Sequence, residues 1–152
     1  MSIEKIVVPV DGSSHSKRAL DVAGNLALHY GAEVIALHVV HGGIPRVPKD
    51  VAAYERYEHV HLTHRELLTS SGEEIVEQAE KQLRDCGVLD VSTRVDVGHP
   101  AQTIVDFVEA ELGPEDVIVM GRRGLSNLPA MFLGSTSQKV AHMVDRTIVS
   151  VK

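Results

Sequence analysis

Lys5-Ile6-Val7-Val8-Pro9-Val10, followed by Asp11-Gly12-Ser13-Ser14, is the stretch on which the fold turns. Its first part is short, β-branched and almost continuously apolar, which predicts a strand buried on both faces. Its second part is turn and helix-cap chemistry. Downstream, Ala19, Leu20, Ala23, Leu26, Ala27 and Tyr30 recur at helical spacing, and Gly31 stands where a helix ends on a residue free to take positive φ. Glu33–Val40 predicts a second buried strand. Two such strands joined through a helix make a right-handed parallel βαβ unit.

Outward from that unit the alternation continues. His41 to about His61 contains Gly42-Gly43, Pro45 and Pro48 and reads as a long connection. A second helix is expected over roughly Leu62 to Cys86, with Leu68, Ile75, Val76, Ala79 and Leu83 as its apolar stripe. Ser71 and Glu74 fit a capping box, so a start at Ser71 is the alternative. Val91–Val97 predicts a third strand with one face wetter. Pro100 opens a third helix through Ile104, Val105, Val108 and Leu112. Asp116–Met120 is a fourth strand, Gly121 to Gly134 a loop with one apolar turn at Leu128–Leu133, Ser135 to about Val144 a fourth helix, and Thr147–Val151 a fifth strand. The pattern predicts a single α/β domain over 1–152, with a doubly wound parallel sheet.

Composition narrows the function. The chain has 152 residues and a formal net charge of −6. That acidity argues against duplex nucleic acid, which requires a clustered basic face. The absence of Trp and the few aromatics remove base-stacking platforms for single strands. Apolar runs are of strand length and no secretory signal precedes them, so neither membrane insertion nor export is expected. The single cysteine, Cys86, excludes an internal disulfide framework and points to a reducing, cytoplasmic setting. Cys86 itself reads as structural, without a basic neighbour to activate it.

An anion can still be held by main-chain amides. Gly121, two residues, Gly124, nine residues, then Gly134-Ser135 is a spacing with physical uses. Gly121 permits close approach of a sugar or base, Gly124 permits a nest of amides, and Gly134 lets a phosphate lie against a helix start. Ser135, Thr136 and Ser137 add hydroxyl donors to that helix end. An ordinary glycine-containing loop with a serine cap is the competing reading.

The same residues resemble the universal stress protein family, in its nucleotide-binding form. The likeness covers essentially the whole chain. It is strongest over Val117-Ile118-Val119-Met120-Gly121-Arg122-Arg123-Gly124-Leu125 and Leu133-Gly134-Ser135-Thr136-Ser137-Gln138-Lys139-Val140, which complete the family's G-2x-G-9x-G-[ST] ATP signature. Ile6–Ser13, Leu37-His38-Val39-Val40 and Gly98-His99-Pro100 also match. The resemblance implies a five-stranded parallel sheet with helices on both faces, Rossmann-like and of the adenine nucleotide alpha hydrolase type. It implies ATP as ligand. Pro9, Val10, Asp11 and Val39 would then line the adenine and ribose side, and Met120, Gly121 and Gly124 would border ribose and phosphates. Gly134, Ser135, Thr136 and Ser137 would hold the phosphates. It implies a homodimer through the last strand, and an exposed final strand gives a physical reason for one. Two departures stand out. Arg122-Arg123 occupies positions where relatives often have a small residue followed by Arg or His, and Arg123 joins the expected ligand set as a cation. Arg146-Thr147 replaces the more usual Cys-Pro before the last strand.

Asp11 has three readings: a bond to ribose, a Mg²⁺ ligand through water, or a cap for the next helix. Its place beside the phosphate loop favours ligand or metal work, so ATP with Mg²⁺ is the expected pair. His59, His61 and His64 read as a solvated helix end rather than a metal site. His38 reads as a buried histidine with a backbone partner. Ser13, Ser14 and His15 read as a cap, and neither a Walker loop nor a dinucleotide fingerprint occurs. No catalytic residue is expected. The favoured function is an ATP-binding regulatory module of the stress response, with an as yet unspecified protein partner. Slow ATP hydrolysis or autophosphorylation, to which His99 or Asp11 would contribute, and a protein-interaction module with a vestigial pocket are the alternatives.

Overall fold

A computed structural model gives the architecture. It describes residues 2–42, 51–125 and 134–152, and within 51–66 the backbone only. The elements are β1 (Lys5–Pro9), α1 (Ser14–Tyr30), β2 (Glu33–His41), α2 (Val51–Asp85), β3 (Val91–Gly98), α3 (Pro100–Glu111), β4 (Val117–Gly121), α4 (Ser135–Met143) and β5 (Thr147–Val151). The strands form one sheet in the order β3-β2-β1-β4-β5, every neighbouring pair parallel.

The period-two alternation of the central strands divides the core. Ile6, Val8, Val34, Ala36, Val117 and Val119 face one way and pack against Ala19, Leu20, Ala23 and Ala27 of α1 and Val76, Ala79 and Leu83 of α2. Val7, Ile35, Leu37, Ile118 and Met120 face the other way, onto Ala101, Ile104, Val105 and Val108 of α3 and Val140 of α4. Small alanines on α1 let that helix lie close to the sheet, which suits a core almost free of aromatic residues. Gly31, at φ 70°, closes α1 with its amide on the Ala27 carbonyl.

The expected fold class holds, and local boundaries are corrected. α2 starts at Val51, not near Leu62 or Ser71, so the connection after β2 is shorter than the sequence suggested. The segment from Val51 carries helix formers such as Ala52, Ala53, Glu55 and Glu58 and lacks Gly and Pro, but its apolar residues trace no single stripe. Ser71 and Gly72 lie inside the helix, so no capping box forms there. Gly72 is accommodated because α2 runs tight against β2 at that point: a Cβ on it would come 2.8 Å from His38 Cδ2. β3 lies at the sheet edge and has no fully dry face, with Thr93, Arg94 and Val97 all exposed. The expected turn at Leu128–Leu133 lies outside the described residues, as do the side chains of His59, His61 and His64. Cys86 is exposed just beyond α2 rather than built into the core. Among the described residues no helix is long and apolar enough to cross a membrane.

Candidate functional site

Chain order reverses between β1 and β4: β2 and β3 lie on one side of β1, β4 and β5 on the other. At such a reversal the loops leaving the two strands diverge and open a crevice beyond their carboxyl ends. A cavity of about 280 Å³ lies there. Pro9, Val10 and Asp11 enter it from β1, Val39 from β2, and Met120, Gly121, Arg123 and Gly124 from β4 and the loop after it. Gly134, Ser135, Thr136 and Ser137 close it from the start of α4. Every residue expected to hold a nucleotide thus borders one cleft. Ser16, Leu37, His38, Pro100, Ile104 and Leu125 line it as well. These escaped the sequence reading because periodicity assigned Leu37 and Ile104 to the core, and nothing local shows which core residues reach the sheet's open end.

The β1–α1 turn is fixed by its own polar groups. Ser13 caps α1, its Oγ accepting from the Ser16 amide at 3.2 Å, as the cap reading of Ser13 to His15 required. The Ser13 amide donates to Asp11 Oδ1 at 2.9 Å, an Asx turn. Gly12, at φ 79°, lets the chain bend there. Asp11 therefore uses one oxygen to shape the turn and turns the other toward the glycine loop: a Cβ on Gly124 would sit 2.5 Å from Asp11 Oδ2. With a Cβ there, the Asp11 carboxylate would have to swing away.

The loop after β4 is tied by its backbone. The Arg122 amide donates to the Val151 carbonyl at 2.6 Å, and the Arg122 carbonyl accepts from the Gly134 amide at 2.8 Å. One residue, Arg122, thereby joins β5 to the start of α4. Ser137 Oγ donates to the Gly121 carbonyl at 2.9 Å. Its proton holds the loop, which differs from the donor role the sequence suggested. Gly121 presses on α1, where a Cβ would fall 2.7 Å from the His15 carbonyl carbon.

α4 has Gly134 as its N-cap residue and no side-chain cap. Its first amides and the hydroxyls of Ser135 and Thr136 border the cleft, at the positive end of the helix. Arg123 brings a cation to the same wall, and its Nε is buried with no hydrogen-bond partner among the described residues. A buried donor left without an acceptor is costly, so this wall is suited to an anion.

On the opposite wall, His38 is half-buried and Nδ1 lies 2.7 Å from the Val10 carbonyl. It has the backbone partner its sequence context suggested. Because a carbonyl only accepts, Nδ1 carries the proton. β1 pairs with β2 as far as Pro9 and Leu37, and the Val10 amide donates to the Leu37 carbonyl at 2.8 Å. Strand alternation turns the amide and carbonyl of Val39 to that same side, past the end of β1.

Known proteins place this arrangement in context. A universal stress protein of Methanocaldococcus jannaschii is 33% identical over 98% of this chain and 82% of its own. Among solved structures, a universal stress protein from Lactobacillus plantarum superposes with a TM-score of 0.84 at 23% identity, covering 100% of this chain and 99% of that one. A universal stress protein in complex with cAMP gives 0.71 at 24% identity, covering 100% and 99%. One from Archaeoglobus fulgidus in complex with dAMP gives 0.65 at 21%, covering both chains fully. The model of the universal stress protein family matches residues 2–152. With that match over nearly its whole length, and a relative one-third identical, the chain belongs to the universal stress protein family.

Proposed function

We propose that this chain is a nucleotide-operated regulatory protein that takes ATP with Mg²⁺ in the cleft between β1 and β4. The observation that carries the reading is the amide end of α4, without a side-chain cap, beside a buried Arg123 Nε that has no hydrogen-bond partner among the described residues. Those groups fit a polyphosphate: Gly134, Ser135 and Thr136 offer main-chain and hydroxyl donors, and Arg123 offers charge. Asp11, through the oxygen its turn leaves over, would bind Mg²⁺ together with phosphate oxygens, an arrangement that leaves the ion most of its waters. Bound Mg²⁺ would neutralise phosphate charge next to that carboxylate.

The base would lie between Val39 and the apolar wall of Pro100, Ile104 and Met120. Val39 offers one donor and one acceptor side by side. Adenine presents the complement, an acceptor at N1 and a donor at its amino group. Guanine presents the reverse pattern and would be refused. Family members of the same fold solved with cAMP and with dAMP support an adenine ligand. A homodimer through β5 belongs to the same reading, since β5 is a sheet edge. So does a reducing, cytoplasmic setting, which suits a single exposed cysteine.

Calorimetric titration of ATP into the purified protein tests this. The wild type is expected to bind one ATP per chain, with Gly124→Ala weakening it about tenfold or more by forcing Asp11 away, and Ser135→Ala weakening it several-fold. Unchanged affinity in both variants would defeat the proposal.

A further inference from the structure

We infer that His38 stands in for a rung of the β1–β2 ladder and thereby keeps the Val39 amide free for the base. This rests on the nucleotide reading above and adds a positioning residue to it. In a regular parallel pair, a strand residue receives an amide from its partner and returns one two residues along. The Val10 amide on the Leu37 carbonyl is such a rung, and the next would run from the Val39 amide to the Val10 carbonyl. That carbonyl is held instead by His38 Nδ1 at 2.7 Å. The described main-chain bonds of this loop include Val10 to Leu37 and none from Val39 to Val10. The imidazole satisfies the carbonyl, so the ladder stops one rung early while no acceptor is left orphaned. The amide that the ladder would have consumed belongs to Val39, which borders the cleft.

A second feature points the same way. α2 carries Gly72 directly over the ring, where a Cβ would come 2.8 Å from His38 Cδ2, 3.2 Å from Val95 Cγ1 and 3.3 Å from Val40 Cγ2. Alanine is the better residue in a helix interior, yet it would press on the imidazole from the side opposite its hydrogen bond. Ring and helix are fitted to each other, and the ring's position is thereby set by two elements. The imidazole is thus a positioning residue that acts through Val39, and its consequence is base selectivity.

The test combines amide hydrogen exchange by NMR on nucleotide-free protein with calorimetry using ATP and inosine triphosphate, whose base carries N1–H and a carbonyl in place of adenine's pattern. In the wild type the Val39 amide is expected to exchange at least tenfold faster than that of Leu37. In His38→Phe it closes on the Val10 carbonyl and gains protection, ATP affinity falls about tenfold, and the preference for ATP over inosine triphosphate shrinks. His38→Asn, whose side-chain amide can supply the same donor, restores fast exchange and most of the affinity. Thermal midpoints of the variants identify any that fail to fold, and Gly72→Ala, which keeps the His38 side chain but displaces its ring, is expected to weaken ATP binding in the same direction as His38→Phe. A protected Val39 amide in the wild type, or an exchange rate unaltered in His38→Phe, overturns the inference. So does ATP affinity equal to wild type in His38→Phe. Should the wild type take no ATP at all, the nucleotide reading falls while the exchange contrast still decides the rung.

Discussion

Single residues divide the labour at this cleft by giving each polar atom one task. Asp11 shows it best. Oδ1 is committed to the Ser13 amide and Oδ2 lies against Gly124. Asn in its place keeps an oxygen for the turn and loses the charge. Asp11→Asn is therefore expected to keep the thermal midpoint within a degree or two while lowering affinity for Mg·ATP about tenfold, and to leave ATP affinity in EDTA unchanged or higher. Titrations with and without Mg²⁺ check both halves, and an equal loss in the two would assign Asp11 to ribose instead. The residue type alone left capping, ribose and metal open; the structure shows that the helix cap is Ser13 and that Asp11 shapes only the turn before it.

At the scale of elements, what matters is how one element's end is fastened to another's. Asp116, just before β4, is 5% exposed and accepts from the amides of Glu4 at 3.0 Å, Lys5 at 2.8 Å and Gly113 at 2.7 Å. One carboxylate thus sets the start of β1 against that of β4, and through them the spacing of the two strand ends that open the cleft. Asp116→Ala strands three amides and is expected to cost about 3 kcal/mol, read as a lowered midpoint in urea with an unaltered slope. A loss under about 1 kcal/mol would mean that water replaces the carboxylate. α2 teaches a different lesson. Its stripe at Ile75, Val76, Ala79 and Leu83 was legible because those residues bury against the sheet and α1, whereas Leu68, expected in the same stripe, is exposed. Its first turns were not, because a helix segment without a single apolar stripe gives periodicity nothing to register, and Ser70-Ser71-Gly72 looked like a start when it is a close approach.

At the scale of the whole molecule, β5 leaves one edge of the sheet unpaired within the described chain. The Val151 carbonyl points inward to the Arg122 amide, so alternation turns the amides of Ile148 and Ser150 outward. Proline is tolerated at an edge position whose amide faces away from the sheet. Ser150→Pro is therefore expected to fold, with a midpoint near that of wild type; under the proposed β5 dimer, the wild type is expected to sediment as a dimer and Ser150→Pro as a monomer. A dimeric Ser150→Pro protein would move the interface elsewhere. Because Arg122 links β5 to the start of α4, the same variant is also a sensitive place to look for altered ATP affinity.

The sequence by itself determined the order and type of the elements, and it marked the glycine-and-serine loop on which the proposed nucleotide site rests. Buried parallel strands must be apolar almost throughout, connecting helices must carry an apolar stripe, and a chain must mark its tight turns with Gly or a capping side chain. Those are local requirements, and they are written locally. Only the tertiary structure decided that β1 and β4 are neighbours, that Asp11 meets Gly124, and that the His38 ring takes the Val10 carbonyl. Each of these joins residues distant along the chain or depends on which of two faces a side chain is given. Such contacts are set by how the layers pack against one another, which no single segment encodes.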